Sequence, residues 1–339
     1  MRKFYGIQYL RAAAALGVVC FHAAERTGGH FAIGAAGVDV FFVVSGFLMW
    51  VISENKPASP GRFFRDRLER VAPVYWIATC IMVAGALAGL FPNLKLTLQH
   101  VFGSLLFIPH RSPSTDDIWP VLVQGWTLNY EMFFYAVFAG TLVLPSKARL
   151  AVLGVILVSL AGAGMLVDSS NPLFLTYTNP IILEFLLGAL IGKLWLDRAI
   201  PSPAAGIALI IAALAGFAFV GITYLGFNAF VFGPLSAALL VGVLALEKGG
   251  VVGRIGPAAY IGDSSYSIYL WHTMAISVVA KFAMLLSIPA PIAFLLAVVG
   301  GVVVGAAFYE ILERPIAASL KGLRARPDRT NLQSERASC

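Results

Sequence analysis

Apolar runs of about twenty residues recur from one end of this 339-residue chain to the other. Each is long enough for a helix to cross the hydrocarbon of a bilayer. No other feature constrains the fold as strongly, because a span in hydrocarbon must satisfy its own backbone hydrogen bonds. Ten such runs lie between breakers, at roughly 6–24, 35–53, 72–91, 124–144, 149–167, 179–196, 203–221, 226–246, 264–287 and 290–312. Composition agrees: 59% of residues are hydrophobic, 12% are charged and the mean hydropathy is +0.84. The expected fold is an all-α polytopic membrane protein with about ten transmembrane helices. Arg11 interrupts the first apolar run, which argues against a cleaved signal peptide. The three cysteines are scattered, so neither a disulfide framework nor a metal site is expected.

The net charge of +7 is distributed by topology, so nucleic acid is not expected as a partner. With the N-terminus in the cytoplasm, nineteen of the twenty-four Lys and Arg residues fall on inside segments and four on outside segments, with Arg11 inside the first span. That bias sets the orientation. An even number of spans returns the C-terminus to the cytoplasm, and a bacterial inner (plasma) membrane is the expected location. Residues 1–315 read as the membrane domain and 316–339 as a basic, disordered cytoplasmic tail. One long outside segment, about 92–123, reads as an interfacial helix followed by irregular loop. A loop of that length suggests a lid or a binding surface. No internal repeat is found, which removes the main sequence support for a transporter built from inverted halves.

Polar residues within the spans carry the chemistry. In "YLRAAAALGVVCFH", Arg11 and His22 are eleven residues apart, about 16 Å along one helix face. Taken singly, an arginine that snorkels and an interfacial histidine would explain them. In "GVDVFFVVSGFLM", Asp39 shares a face with Gly46, which permits close helix approach. Ser45 points elsewhere and reads as packing. In "WTLNYEMFFY", Thr127, Glu131 and Tyr135 form a stripe. Glu184 lies in the outer part of the sixth span. His22, Asp39, Glu131 and Glu184 thus all fall at outer depth. An imidazole beside a carboxylate suits general-base chemistry, and a proton relay uses the same residue types.

The inner side differs. "RFFRDRLERVAPVYW" places Arg62, Arg65, Arg67 and Arg70 before the third span. They serve topology and anionic lipid, and their planar forks also match phosphate oxygens. In "SYSIYLWH", His272 is placed about 10 Å in from the inner side, as a functional residue or a hydrogen-bonded core histidine. Glu313-Arg314-Pro315 reads as a helix end held by a local ion pair and stopped by proline.

These motifs, ending with "ERP", resemble in order those of the integral-membrane acyltransferase 3 family, over residues 7 to about 315. The "FYGIQYLRA" start is most similar to exopolysaccharide-production O-acetyltransferases. The resemblance implies ten helices, a cytoplasmic acyl-CoA donor, most simply acetyl-CoA, and a sugar hydroxyl of a polysaccharide or lipid-linked glycan as acceptor. No permanently bound cofactor is implied. The family's motif residues match Arg11, His22, Asp39, Arg67, Arg70, Trp126 and Glu131. Thr127 stands where the family often has serine. Some relatives carry an additional esterase-like domain, and none is read here.

The expected mechanism follows from both lines. Arg67 and Arg70, with Arg62, Arg65 and Arg11, hold the donor. His22 is the base, Asp39 or Glu131 orients it, and Trp126, Glu184 and His272 contact the acceptor. Membrane lipids and a polysaccharide-biosynthesis complex are the other expected partners. A proton-coupled glycan transporter or flippase and an export-complex scaffold are the competing classes. The arginine group favours the enzyme, because a proton relay has no use for a phosphate clamp.

Overall fold

The structure is a computed structural model and describes residues 4–223 and 228–325. Among the described residues every regular element is helical. They are α1 (Tyr5–Arg26), α2 (Gly37–Asn55), α3 (Pro60–Leu87), α4 (Leu98–Leu105), α5 (Gly125–Thr141), α6 (Ser146–Leu166) and α7 (Pro172–Tyr177). The second half comprises α8 (Leu183–Leu196), α9 (Pro203–Thr223), α10 (Ala229–Lys248), α11 (Gly256–Leu285), α12 (Ala290–Phe308) and α13 (Arg314–Ala325). Among the described residues, eight helical stretches are long and apolar enough to cross a membrane. The fourth and sixth expected spans are the shorter helices α5 and α8, of 17 and 14 residues.

Small residues set the helix spacing. A Cβ at Gly46 would collide with the carbonyl oxygen of Phe185, and one at Gly188 with that of Val43. The two glycines sit on facing helices, α2 and α8, so each backbone enters the space left by the other's missing side chain. Aromatic stacking fills in beside them. Phe185 lies between Phe42 and Phe134, at centroid distances of 4.6 Å and 4.5 Å. At one end of the bundle the Glu247 carboxylate accepts a hydrogen bond from the Gly6 N–H at 2.8 Å. That contact places a negative group at the start of α1, where the helix dipole favours it.

The segment between α3 and α5 folds back along α3. Tyr75 donates to the Ser104 carbonyl at 3.1 Å, and the Trp76 indole to that of Leu105 at 2.7 Å. An interfacial helix was expected in its first half, and α4 occupies that position. The segment is held by an imidazole pair. His110 Nδ1 donates to the Ile108 carbonyl at 2.7 Å, leaving His110 Nε2 to accept from His100 Nδ1 at 2.8 Å. Burial, and then the proximity of His110, push His100 down to about 4.

The expected end of the last span is corrected. The chain makes a π-helical turn at Tyr309–Glu313 and continues into α13. Pro315 lies just past that turn, and the helix runs on through it. Residues 316–325, read as disordered tail, are therefore helical; 326–339 lie outside the described residues.

Candidate active site

The four residues placed at similar depth by sequence separate into three groups in space. The first joins His22 on α1 to His272 on α11, with ring centroids 5.2 Å apart. His272 Nδ1 lies 3.0 Å from the Ile268 carbonyl, so that nitrogen carries the hydrogen. Nε2 is left with its lone pair, buried and without a partner among the described residues. His22 Nδ1 lies 3.6 Å from the Glu25 carboxylate, and the His22 side chain is 31% exposed. The expected inner position of His272 is corrected. Its helix begins at Gly256 and not near 264, so His272 sits sixteen residues along it, about 24 Å. The glycine and proline of "GPAAYIGD" read as breakers; Pro257 instead occupies the first turn, which tolerates proline.

The second group is Asp39 and Glu184, facing each other across α2 and α8. Both are buried, and among the described residues no third residue donates a hydrogen bond to either carboxylate. Gly233 of α10 packs against the Glu184 side chain. The expected partnership of Asp39 with His22 is therefore not one the structure makes; Asp39 turns toward α8.

The third group lines a cavity of about 100 Å³ at the centre of the bundle. Glu131 accepts hydrogen bonds from Tyr135 and from Ser45, the latter at 3.3 Å. Ser45, read from sequence as packing, thus belongs to the cavity wall. Glu131 also does not pair with His22; its charged neighbours are Arg11 and Arg67. Tyr269 lines the cavity and links it to the histidines, its ring 6.0 Å from that of His272. Tyr269 also receives a hydrogen bond from Thr127 at 3.0 Å.

Arg11, Leu48 and Arg70 line this cavity and also a larger one, of about 710 Å³, beside α13. Arg67 lines the larger one and carries an unmet demand. Its Nε and Nη1 are buried and have no hydrogen-bond partner among the described residues. An oxyanion entering here would meet a guanidinium with charged donors still unsatisfied on two of its edges. Arg62 and Arg65 are not brought to it. Both are exposed, and Arg65 lies 3.6 Å from Glu69 along its own helix.

Glu313, which the sequence placed at a helix end, is a further cavity residue. The expected pair with Arg314 is not formed: Arg314 bonds Glu310 at 2.7 Å, while Glu313 accepts from Ser267 at 2.6 Å and lines the larger cavity. The π-helical turn causes this, because one extra residue in the turn rotates Glu313 inward. Helical spacing alone carries no signal of that turn. Trp126 lies apart from these groups, in a third cavity of about 440 Å³ on the other side of α5.

The sequence pattern of the acyltransferase domain matches residues 4–310. The chain belongs to the integral-membrane acyltransferase 3 family. It is 55% identical to the exopolysaccharide production protein ExoZ of Rhizobium meliloti (strain 1021), over 87% of this chain and 93% of that protein. It is 30% identical to the putative membrane-bound transacylase BcsY of Komagataeibacter xylinus, over 93% of this chain and 86% of the relative. The O-acetyltransferase OatA of Staphylococcus aureus (strain NCTC 8325 / PS 47) is 24% identical, and the match spans 58% of its length. No solved structure matches the chain. For a family of membrane acyltransferases, the candidate active site is the buried His272 with the part-exposed His22 beside it, next to Tyr269 of a cavity that shares Arg11 and Arg70 with the larger pocket.

Proposed function

We propose that this enzyme moves an acyl group, most simply acetyl, from cytoplasmic acyl-CoA to a hydroxyl of an exported or surface polysaccharide. On this reading ten helices span a bacterial plasma membrane with both termini inside, α13 faces the cytoplasm and α4 faces outward. The observation that carries it is the sharing of Arg11 and Arg70 between the two cavities. A donor whose phosphates rest near Arg67 can pass its thioester arm between these arginines toward Tyr269 and the histidines. The similarity to an exopolysaccharide production protein supports the acceptor class.

The step is a balanced acyl transfer. The acceptor oxygen attacks the thioester carbonyl while His22 takes its proton. The carbon–sulfur bond then breaks, and the coenzyme A thiolate recovers that proton. His272, with its hydrogen held on Nδ1, keeps a lone pair beside His22 and orients the imidazole or its proton. Arg11 neutralises charge that develops on the carbonyl oxygen. Ser45, Tyr135 and Glu131 keep the cavity wall hydrogen-bonded.

The test is mass spectrometry of surface polysaccharide from cells carrying wild-type or His22→Ala protein at equal abundance. Loss of the acyl ester is expected, and the purified variant should be about 10²–10⁴-fold slower. A purified variant that keeps more than half the wild-type rate removes His22 from the mechanism. Unchanged esters with reduced export would instead favour a transporter.

A further inference from the structure

We propose that the 440 Å³ cavity behind α5 is a carbohydrate subsite that holds an uncharged sugar of the acceptor chain, away from the sugar being acylated. The proposal rests on the function proposed above and assigns part of its acceptor recognition. The cavity's size falls in the range of about 300–1,000 Å³ found for ligand sites.

Its walls fit a pyranose, which pairs an apolar C–H face with a rim of hydroxyls. Trp126 and Tyr130 meet at right angles, with centroids 5.8 Å apart, and form an aromatic corner. Trp119 adds a third aromatic surface and is 38% exposed although its backbone is tied down by a 2.9 Å bond from its N–H to the Asp117 carbonyl. Asn129 lines the same cavity at 2% exposure, and its Oδ1 has no partner among the described residues. A buried acceptor without a donor is costly, and a sugar hydroxyl supplies one.

Charge narrows the class. Asp116 and Asp117 line the cavity, where carboxylates accept from hydroxyls and repel an anion. Arg111 is already engaged, by the Asp116 carbonyl at 3.0 Å, the Asp116 carboxylate at 3.4 Å and the Ser170 carbonyl at 3.3 Å, and so braces the loop. A phosphate or uronate would meet the Asp117 carboxylate and an arginine already paired with Asp116; a neutral sugar meets acceptors and aromatic faces.

Position explains why this is a secondary subsite. Trp126, Asn129 and Tyr130 occupy one side of α5, while Thr127, Leu128 and Glu131 on the opposite side line the central cavity. A helix about 10 Å thick separates the two. One sugar cannot fill both, whereas a chain can reach around the outer end of α5.

The test uses purified protein, acetyl-CoA and oligosaccharides released from the host's own de-esterified surface polysaccharide, sorted by length. In wild type, KM should fall as the acceptor lengthens. Trp119→Ala should raise KM for long acceptors about tenfold. It should leave kcat, the KM for the shortest acceptors and acetyl-CoA hydrolysis without acceptor unchanged. Trp119→Phe should restore most of the loss. An unchanged KM for long acceptors in Trp119→Ala overturns the subsite while the transferase reading stands. If wild type acetylates none of these sugars, the transferase reading falls, and the subsite is judged by tryptophan fluorescence. Quenching by the long oligosaccharides in wild type but not in Trp119→Ala upholds it, and no quenching overturns it.

Discussion

Replacing Arg67 and Arg70 together by lysine separates a phosphate clamp from a topological charge. Both residues keep their positive charge, so insertion should be normal. The fork is what is lost. Arg67 lines the larger cavity, and its Nε and Nη1, on different edges of the guanidinium, are buried without a partner among the described residues, so each is a separate charged donor left to be met. A lysine ammonium at the end of a flexible stem replaces that pair by a single unfixed contact. A hydrogen bond to a charged group is worth about 1.5–3 kcal/mol, so losing one weakens donor binding by about 10- to 150-fold. Arg70 is more exposed, and its share should be smaller and depend more on salt. The assay is calorimetric titration of acetyl-CoA into protein in nanodiscs at low and moderate ionic strength. Protein abundance and melting temperature serve as controls for insertion. Donor affinity within twofold of wild type, in a correctly inserted double variant, would remove these arginines from the mechanism and leave the donor site elsewhere.

Three further outcomes follow from packing and charge. Gly188→Ala should lower stability by about 1–3 kcal/mol, because its Cβ meets the Val43 carbonyl. Gly140→Ala, in open space within α5, should gain up to about 1 kcal/mol. Melting at one scan rate compares them, and equal shifts would refute the close approach of α2 and α8. Asp39→Asn gives Glu184 an amide donor and should raise stability by roughly 1 kcal/mol with transfer within threefold of wild type. A rate loss matching His22→Ala would return Asp39 to the orienting role expected from sequence. For His100, burial lowers the folded pKa to about 4, so the unfolded chain binds more protons between pH 6.5 and 4. Stability should therefore fall with pH across that window, by about 1–2 kcal/mol after allowing for nearby water. His100→Asn should flatten the slope of melting temperature between pH 7 and 5, and an unchanged slope would refute the assignment.

Much was legible in the chain alone. The lengths of the apolar runs decide an all-helical bundle, since a helix is the one continuous span that satisfies its own backbone in hydrocarbon. The ordered motifs decide the family, and the acyltransferase match over residues 4–310 agrees. Facing positions within one helix were also legible: Glu131 does bond Tyr135, four residues on, and Gly46 is the point of close approach expected. What sequence left undetermined is which helices meet and at what rotation. Depth along a helix follows from counting residues, but the partner across a helix contact depends on side-chain packing among all neighbours. His22, Asp39 and Glu131 share a similar depth in sequence, yet packing turns His22 to His272, Asp39 to Glu184, and Glu131 to Ser45. The inward turn of Glu313 depends on a single π-helical turn. Such turns are rare and local sequence does not call for one, whereas the tertiary bond from Ser267 to Glu313 holds the rotated side chain.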